Sequence, residues 1–161
     1  MTDQNPDNLK MKREQKLAWD DSAEGWKKWW PTFERAAQRV NDRLVELSGA
    51  RAGNRVYDIG RAVENETHRC GFRVLRELCG HGVGRTIHEA PSIPNFHDPR
   101  FKTRLTEGMV ITIEPILAES TRYGELQDDR WTIRTADRSL SAHYEHTIVI
   151  TKGVPLLLTA A

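Results

Sequence analysis

Leu78-Cys79-Gly80-His81-Gly82-Val83-Gly84-Arg85-Thr86-Ile87-His88-Glu89-Ala90-Pro91-Ser92-Ile93-Pro94 is the stretch on which the reading of this chain turns. Gly80, Gly82 and Gly84 surround one imidazole, His81, and a second imidazole follows at His88. Glycine lets a backbone take positive φ or approach another chain closely, so a side chain flanked by glycines can be aimed at a fixed point. Downstream, two apolar strand-like runs each carry one carboxylate, Glu114 and Glu145. A carboxylate in such a run is costly unless something pairs with it. An ion pair with one of the chain's arginines would satisfy each. One imidazole and two carboxylates on β structure would also suit a hard or borderline divalent metal. The separations of 33 and 31 residues match no short metal motif, so both readings stand on the residues alone. His88 lies seven residues after His81, too far for the i, i+4 pair of a zinc helix, and a structural hydrogen bond is its simplest role.

Outward from this stretch, Phe72–Leu75 reads as a short strand, and Ala90–Arg100, with Pro91, Pro94 and Pro99, as a loop. Met109–Glu114 has strand composition, placing Val110, Thr112 and Glu114 on one face, and Pro115 ends it. Trp131–Thr135 and Ser141–Thr151 are further strands; the second places Glu145, Thr147 and Val149 opposite His146, Ile148 and Ile150. A last apolar run is Leu156–Leu158.

Upstream, Val56-Tyr57-Asp58-Ile59-Gly60 reads either as a strand entering a nucleotide-binding turn or as the start of a helix with Asp58 as N-cap. No further glycine follows before Gly71, so the helical reading is preferred, running to Cys70 with Gly71 as terminator. Pro31–Ser48 forms an amphipathic helix on Phe33, Ala37, Val40, Leu44 and Leu47, stopped by Gly49. Trp19, Trp26, Trp29 and Trp30 cluster before it, as a docking surface or a ligand wall.

The 161 residues fit one domain or a small domain with an appendage, and 38% hydrophobic with 29% charged residues describes an ordinary soluble protein. A net charge of +1 gives no reason to expect nucleic acid, and no apolar run is long enough to span a membrane. With no apolar signal core near Met1 and only Cys70 and Cys79, the expected compartment is the reducing cytoplasm.

Cys79–Arg85, Ile87–Glu89, Thr112–Pro115 and Ser139–Thr147, occurring in this order, resemble the C-terminal half of a type I methionine aminopeptidase from about Val56 onward. The resemblance implies an α+β partial pita-bread fold, a curved, mostly antiparallel sheet with helix packing, behind a helical N-terminal segment. It implies that His81 and Glu114 ligate one metal of a two-metal centre, that Glu145 bridges both ions, and that His88 contacts the substrate amide or the tetrahedral intermediate. Glu145 and His88 are thus the implied catalytic residues. Cys79, His88 and Trp131 are implied in substrate binding, and the reaction is removal of the initiator methionine from new polypeptides by a metal-activated water. The family's N-terminal half also supplies two aspartates on a β-hairpin and a histidine. No such hairpin is found upstream of Asp58, where Asp20 and Asp21 are adjacent and lie beside the tryptophans. The expected cofactor is therefore at most one weakly held divalent ion (Co, Mn, Fe or Zn), and activity of the chain alone is in question.

Leu9–Gln15, Glu24–Trp30 and the helix to Leu47 resemble the N-terminal region of a class I SAM-dependent methyltransferase. Both families can write Val-x-Asp-Ile-Gly, and the expectation is a chimera: a helical leader over 1–55 and an aminopeptidase-like half over 56–161. The glycine-rich turn that would hold SAM is absent, so no SAM binding is expected. The alternative to an enzyme is a non-catalytic folded module that self-associates, with a two-fold homodimer supplying each half with a partner.

Overall fold

Gly49, at φ +58°, stops a helical segment that includes residues 43–48, as the left-handed terminator expected there. Its buried side is set by Val45 and Ser48, with Leu44 and Leu47 only partly covered, so the core-facing stripe is rotated from the predicted one. The computed structural model describes residues 43–159, together with Lys10, Arg13, Leu17, Glu24, Lys27 and Lys28, all six of them helical. The tryptophan cluster, most of the methyltransferase-like leader and the first part of the Pro31–Ser48 helix lie outside the described residues. Two compact units divide the chain, Met1–Arg39 and Val40–Ala161. The changeover expected at Val56 falls inside the second unit, where Val45 and Ala50 share one core with Val56 and Ile59.

Helix α1, Val56–Arg69, buries Val56, Ile59, Gly60, Val63 and Thr67 along one stripe. Asp58 is not its N-cap. Arg55 holds that position, and the Asp58 carboxylate, three residues in, accepts the Arg55 backbone N–H at 2.9 Å. The helix ends at Cys70, and Gly71, at φ +86°, turns the chain away.

The strands are β1 Arg73–Val74, β2 Gly80–Gly82, β3 Glu89–Ile93, β4 Val110–Ile113 and β5 Ile116–Ala118, then β6 Gly124–Leu126, β7 Ile133–Thr135, β8 Ser141–His143, β9 His146–Val149 and β10 Leu156–Leu157. They form a five-stranded sheet in the order β10-β9-β4-β2-β3, a three-stranded sheet β1-β5-β8, and a β6-β7 ribbon. Every described pairing is antiparallel, in line with the expected α+β class. Ile111, Ile113, Ile148 and Ile150 from β4, β9 and its end meet Ile59 and Val63 of α1 in one core, closed by Ile93 and Leu105.

Three elements differ from the sequence reading. Residues 90–93 are strand, not loop: β3 is an edge strand, and an edge tolerates Pro91 because a missing N–H there leaves no ladder bond unmade. Trp131 precedes β7 and is exposed, so the strand is shorter than Trp131–Thr135. Ser141–Thr151 is two strands, because the chain crosses from one sheet to the other at Tyr144-Glu145. The β4-β5 strand makes the same crossing at Glu114-Pro115, and since Ile113 faces His146 and Ile116 faces His143, the two interruptions lie opposite each other. Among the described residues no helix is long and apolar enough to cross a membrane.

Candidate metal centre

The paired interruptions place both carboxylates where the two sheets meet. Glu114 follows β4 directly and Glu145 precedes β9, so neither contributes to a regular ladder at that level. His81 reaches the same point from the middle of β2, which pairs with β4. One donor atom from each of His81, Glu114 and Glu145 lies within 4.8 Å of the others.

The glycines around His81 serve close approach and not positive φ. A Cβ on Gly80 would run into the Thr112 carbonyl, one on Gly82 into the Ala90 carbonyl, and one on Gly84 into the Glu89 carboxylate. The glycines that do take positive φ are elsewhere, at turns such as Gly71 and Gly108. A Gly-His-Gly strand has little intrinsic β preference. β2 exists because backbone presses on it from both sides, and that compression fixes His81.

Each donor is oriented by a neighbour. His81 Nδ1 lies 2.9 Å from the Gly82 carbonyl, so Nδ1–H donates there and Nε2 is left with its lone pair. The Thr112 hydroxyl accepts the His81 backbone N–H at 2.9 Å and donates to Glu114 Oε1 at 2.8 Å, tying β2 to the carboxylate. Asn95, almost wholly buried, donates through Nδ2 to the Glu114 backbone carbonyl at 3.1 Å. Burial of Glu114 alone would raise its pKa, but hydrogen bonds from His143 and Thr112 and the electrostatic attraction of the neighbouring His81 ring outweigh it and hold the carboxyl below its usual value. The partner effect appears at His143, whose pKa is raised chiefly by its hydrogen bond to Glu114.

His88, although exposed, stacks at a tilt on His81 with ring centroids 4.2 Å apart. Cys79 is a half-buried free thiol immediately before β2, and Trp131 sits in the β6–β7 turn with its backbone N–H donated to Asp129. Among the described contacts, none joins Cys79 or Trp131 to the His81, Glu114 and Glu145 cluster. Glu145 is exposed and not, as its apolar surroundings in sequence suggest, enclosed, because the crossing turns it out of the ladder. Thr112 and His143 are the site neighbours that a search for ligands alone overlooks. The sequence signal for both is spacing: each stands two residues before a glutamate in a strand-like run.

The donor set suits a borderline divalent ion. Bonds of about 2.0–2.1 Å at tetrahedral angles put neighbouring donors about 3.3 Å apart. His81 Nε2 and Glu114 Oε1 are 3.4 Å apart, the separation of two neighbouring ligands of such an ion, and a Glu145 carboxylate oxygen lies within 4.8 Å of a donor atom of each.

Residues 32–152 match metallopeptidase family M24. The chain belongs to that family. The M24 match begins before the changeover expected at Val56, so residues 32–55, read above as leader, fall within it. Among M24 relatives, the methionine aminopeptidase of Borreliella burgdorferi is 40% identical over 128 residues, covering 73% of this chain and 51% of that protein. That of Mycoplasma capricolum is 45% identical over 123 residues, covering 75% and 49%. The crystal structure of the Thermotoga maritima methionine aminopeptidase superposes with a TM-score of 0.69 at 37% identity, covering 76% of this chain and 50% of that one. The α+β, partial pita-bread fold is thus the M24 fold, and the chain spans about half the length of the curated relatives it matches.

Proposed function

We propose that this chain carries half of a methionine aminopeptidase centre and holds one divalent ion, weakly, through His81, Glu114 and Glu145. The observation that supports it most is the convergence of these three donors within 4.8 Å, in a chain of metallopeptidase family M24. An ion bound there would supply Lewis acidity, polarising a scissile carbonyl and acidifying a water.

The chain's own residues then have separate tasks. The Gly82 carbonyl keeps His81 in the tautomer whose Nε2 faces the site, and Thr112 fixes the Glu114 carboxylate. Glu145, exposed to incoming water, takes the proton of the attacking water on its carboxylate. His88, packed on His81, donates toward the substrate amide. The substrate class is a peptide or protein with N-terminal methionine, with Cys79 and Trp131 assigned to its side chain. Methionine release from a Met-Ala-Ser peptide, with added cobalt or manganese, tests this directly. Turnover no greater than that of a Glu145→Ala control would end the enzymatic reading.

A homodimer is the second reading, supported by the half-length match and by a donor, Glu145, left open to solvent. Two-fold pairing would give each centre a partner, whether or not it turns over. Light scattering at micromolar concentrations is expected to give twice the chain mass, and a clean monomer would remove this reading. Residues 1–55 are assigned to a methyltransferase-like leader that binds no SAM, for which a flat calorimetric titration is expected. The assigned compartment is the cytoplasm.

A further inference from the structure

The loop between β2 and β3, Val83–His88, carries His88 over His81, and burial does not hold it there. Every residue from Gly84 to Ala90 is exposed, and Ile87, the largest apolar side chain of the loop, is 71% exposed. Yet the two imidazoles meet, with ring centroids 4.2 Å apart. Polar bonds, not apolar packing, must set the direction of this loop.

Glu89 supplies them. It opens β3, opposite Gly82 in the ladder. Its Oε1 accepts the Thr86 backbone N–H at 2.7 Å and lies 3.2 Å from the Thr86 hydroxyl. That hydroxyl also lies 3.1 Å from the His88 carbonyl oxygen. The far side of the carboxylate rests on Gly84, where a Cβ would run into Oε2 and stand 2.9 Å from the carboxyl carbon. The order Thr86-Ile87-His88-Glu89 matches a pattern that starts helices, in which a glutamate reaches back to a backbone N–H three residues earlier. Here that bond forms and a strand follows in place of a helix. Its effect is to close the chain on itself across Ile87 and His88.

We propose that Glu89 is the positioning residue of His88: its carboxylate, seated on Gly84 and bonded to Thr86, holds the loop in the form that lays His88 on His81. The proposal rests on the role given to His88 above, donation toward the substrate amide. It also accounts for Gly84, which has no positive φ and meets a side chain where Gly80 and Gly82 meet backbone. A donor fixed in advance by such hydrogen bonds is in place when substrate arrives, and no ordering of the loop is left to do.

Proton spectra of the full chain, with labelled histidines, read this through the nuclear Overhauser cross-peak between the His81 and His88 rings. The cross-peak is expected in wild type and is lost in Glu89→Ala. Exchange of the Thr86 amide is expected to quicken on the order of tenfold, the loss of about one hydrogen bond. Glu89→Gln keeps an oxygen that accepts the Thr86 N–H, and is expected to retain the cross-peak. Gly84→Ala displaces only the flexible end of Glu89, and is expected to lose the cross-peak with its urea midpoint unchanged. A cross-peak of wild-type intensity in Glu89→Ala would overturn the proposal, as would its loss in Glu89→Gln or its absence from wild type. Should Glu89→Ala fail to fold, a wild-type cross-peak in Gly84→Ala overturns the proposal instead. The metal centre is read apart, by the shift of the His81 ring on adding zinc. No such shift, with the cross-peak still lost in Glu89→Ala, would end that centre and leave the hold of Glu89 on His88 standing.

Discussion

Replacing Gly80 by alanine tests whether close backbone approach is what aims His81. The new Cβ would stand closer to the Thr112 carbonyl oxygen than the 3.0 Å that real Cβ atoms respect, with Thr112 Oγ1 at 3.1 Å and its carbonyl carbon at 3.2 Å. Ordinary contact begins at 3.4 Å, so β2 and β4 must separate by more than 0.4 Å, and the obstacle is backbone, which has no rotamer to escape into. Gly80 has no positive φ, so the cost comes from crowding alone. Overpacking of this kind costs about 1–3 kcal/mol. At a urea slope of about 1.5 kcal/mol/M for a domain of this size, the unfolding midpoint drops by about 1 M. His81 moves with β2 and Glu114 with β4, so the same separation strains the 2.9 Å bond from His81 N–H to Thr112 and spreads the donors. Zinc affinity is expected to fall about tenfold. Gly153→Ala is the control, since its Cβ would meet nothing within 4 Å. If Gly80→Ala unfolds at the same urea concentration as Gly153→Ala and binds zinc as wild type does, the crowding argument is refuted.

Thr112→Val removes the hydroxyl between His81 and Glu114 at nearly constant volume, and is expected to lower zinc affinity about tenfold to a hundredfold and stability by about 1–3 kcal/mol; chelator competition and urea unfolding read the two effects. Ile148→Ala, at a fully buried position of β9, is expected to cost about 2–5 kcal/mol in a urea or thermal melt, and a loss below that range would mean the core collapses to fill the space. Glu64 illustrates the acid limb. Burial opposes its ionisation, but the His97 backbone N–H and the Arg76 guanidinium prevail and hold its pKa below the usual carboxylate value. A group whose folded pKa is depressed stabilises the fold above its unfolded pKa, and that contribution disappears as pH falls through the folded value. Glu64→Gln should therefore be less stable than wild type at pH 7, the gap closing as pH drops below about 4.5; a gap that stays constant down the acid limb would contradict the assignment.

Much of this arrangement was legible in the chain. The alternation of Val110, Thr112 and Glu114, the helix from Val56, and the glycine stops at Gly49 and Gly71 follow from local periodicity and turn chemistry. The residues alone left His81, Glu114 and Glu145 open between ion pairs and a shared metal, and the resemblance decided for convergence, because separations above thirty residues carry no local geometry. What escaped has a common cause. Alternation along Ser141–Thr151 runs on unchanged where the strand leaves one sheet for the other, since period two records faces and not partners. Pro91 suggests a loop by composition, yet only its place at an edge decides that a strand can keep it. Asp58 has N-cap chemistry, but a carboxylate at the third position of a helix makes the same kind of bond backwards. The crowding of Gly80 and Gly82 lies in the backbone of other strands, where a sequence read in one dimension does not look.

The opposed interruptions at Glu114-Pro115 and Tyr144-Glu145 also bear on how such a centre changes through descent. The donors sit at a seam between two sheets, so their spacing is governed by the angle at which those sheets meet. A substitution deep in either sheet can alter that angle while every donor residue stays the same. If the proposed centre holds an ion, selection can then tune the radius it prefers without altering a single letter at its three donors, and two lineages identical at His81, Glu114 and Glu145 need not share a metal.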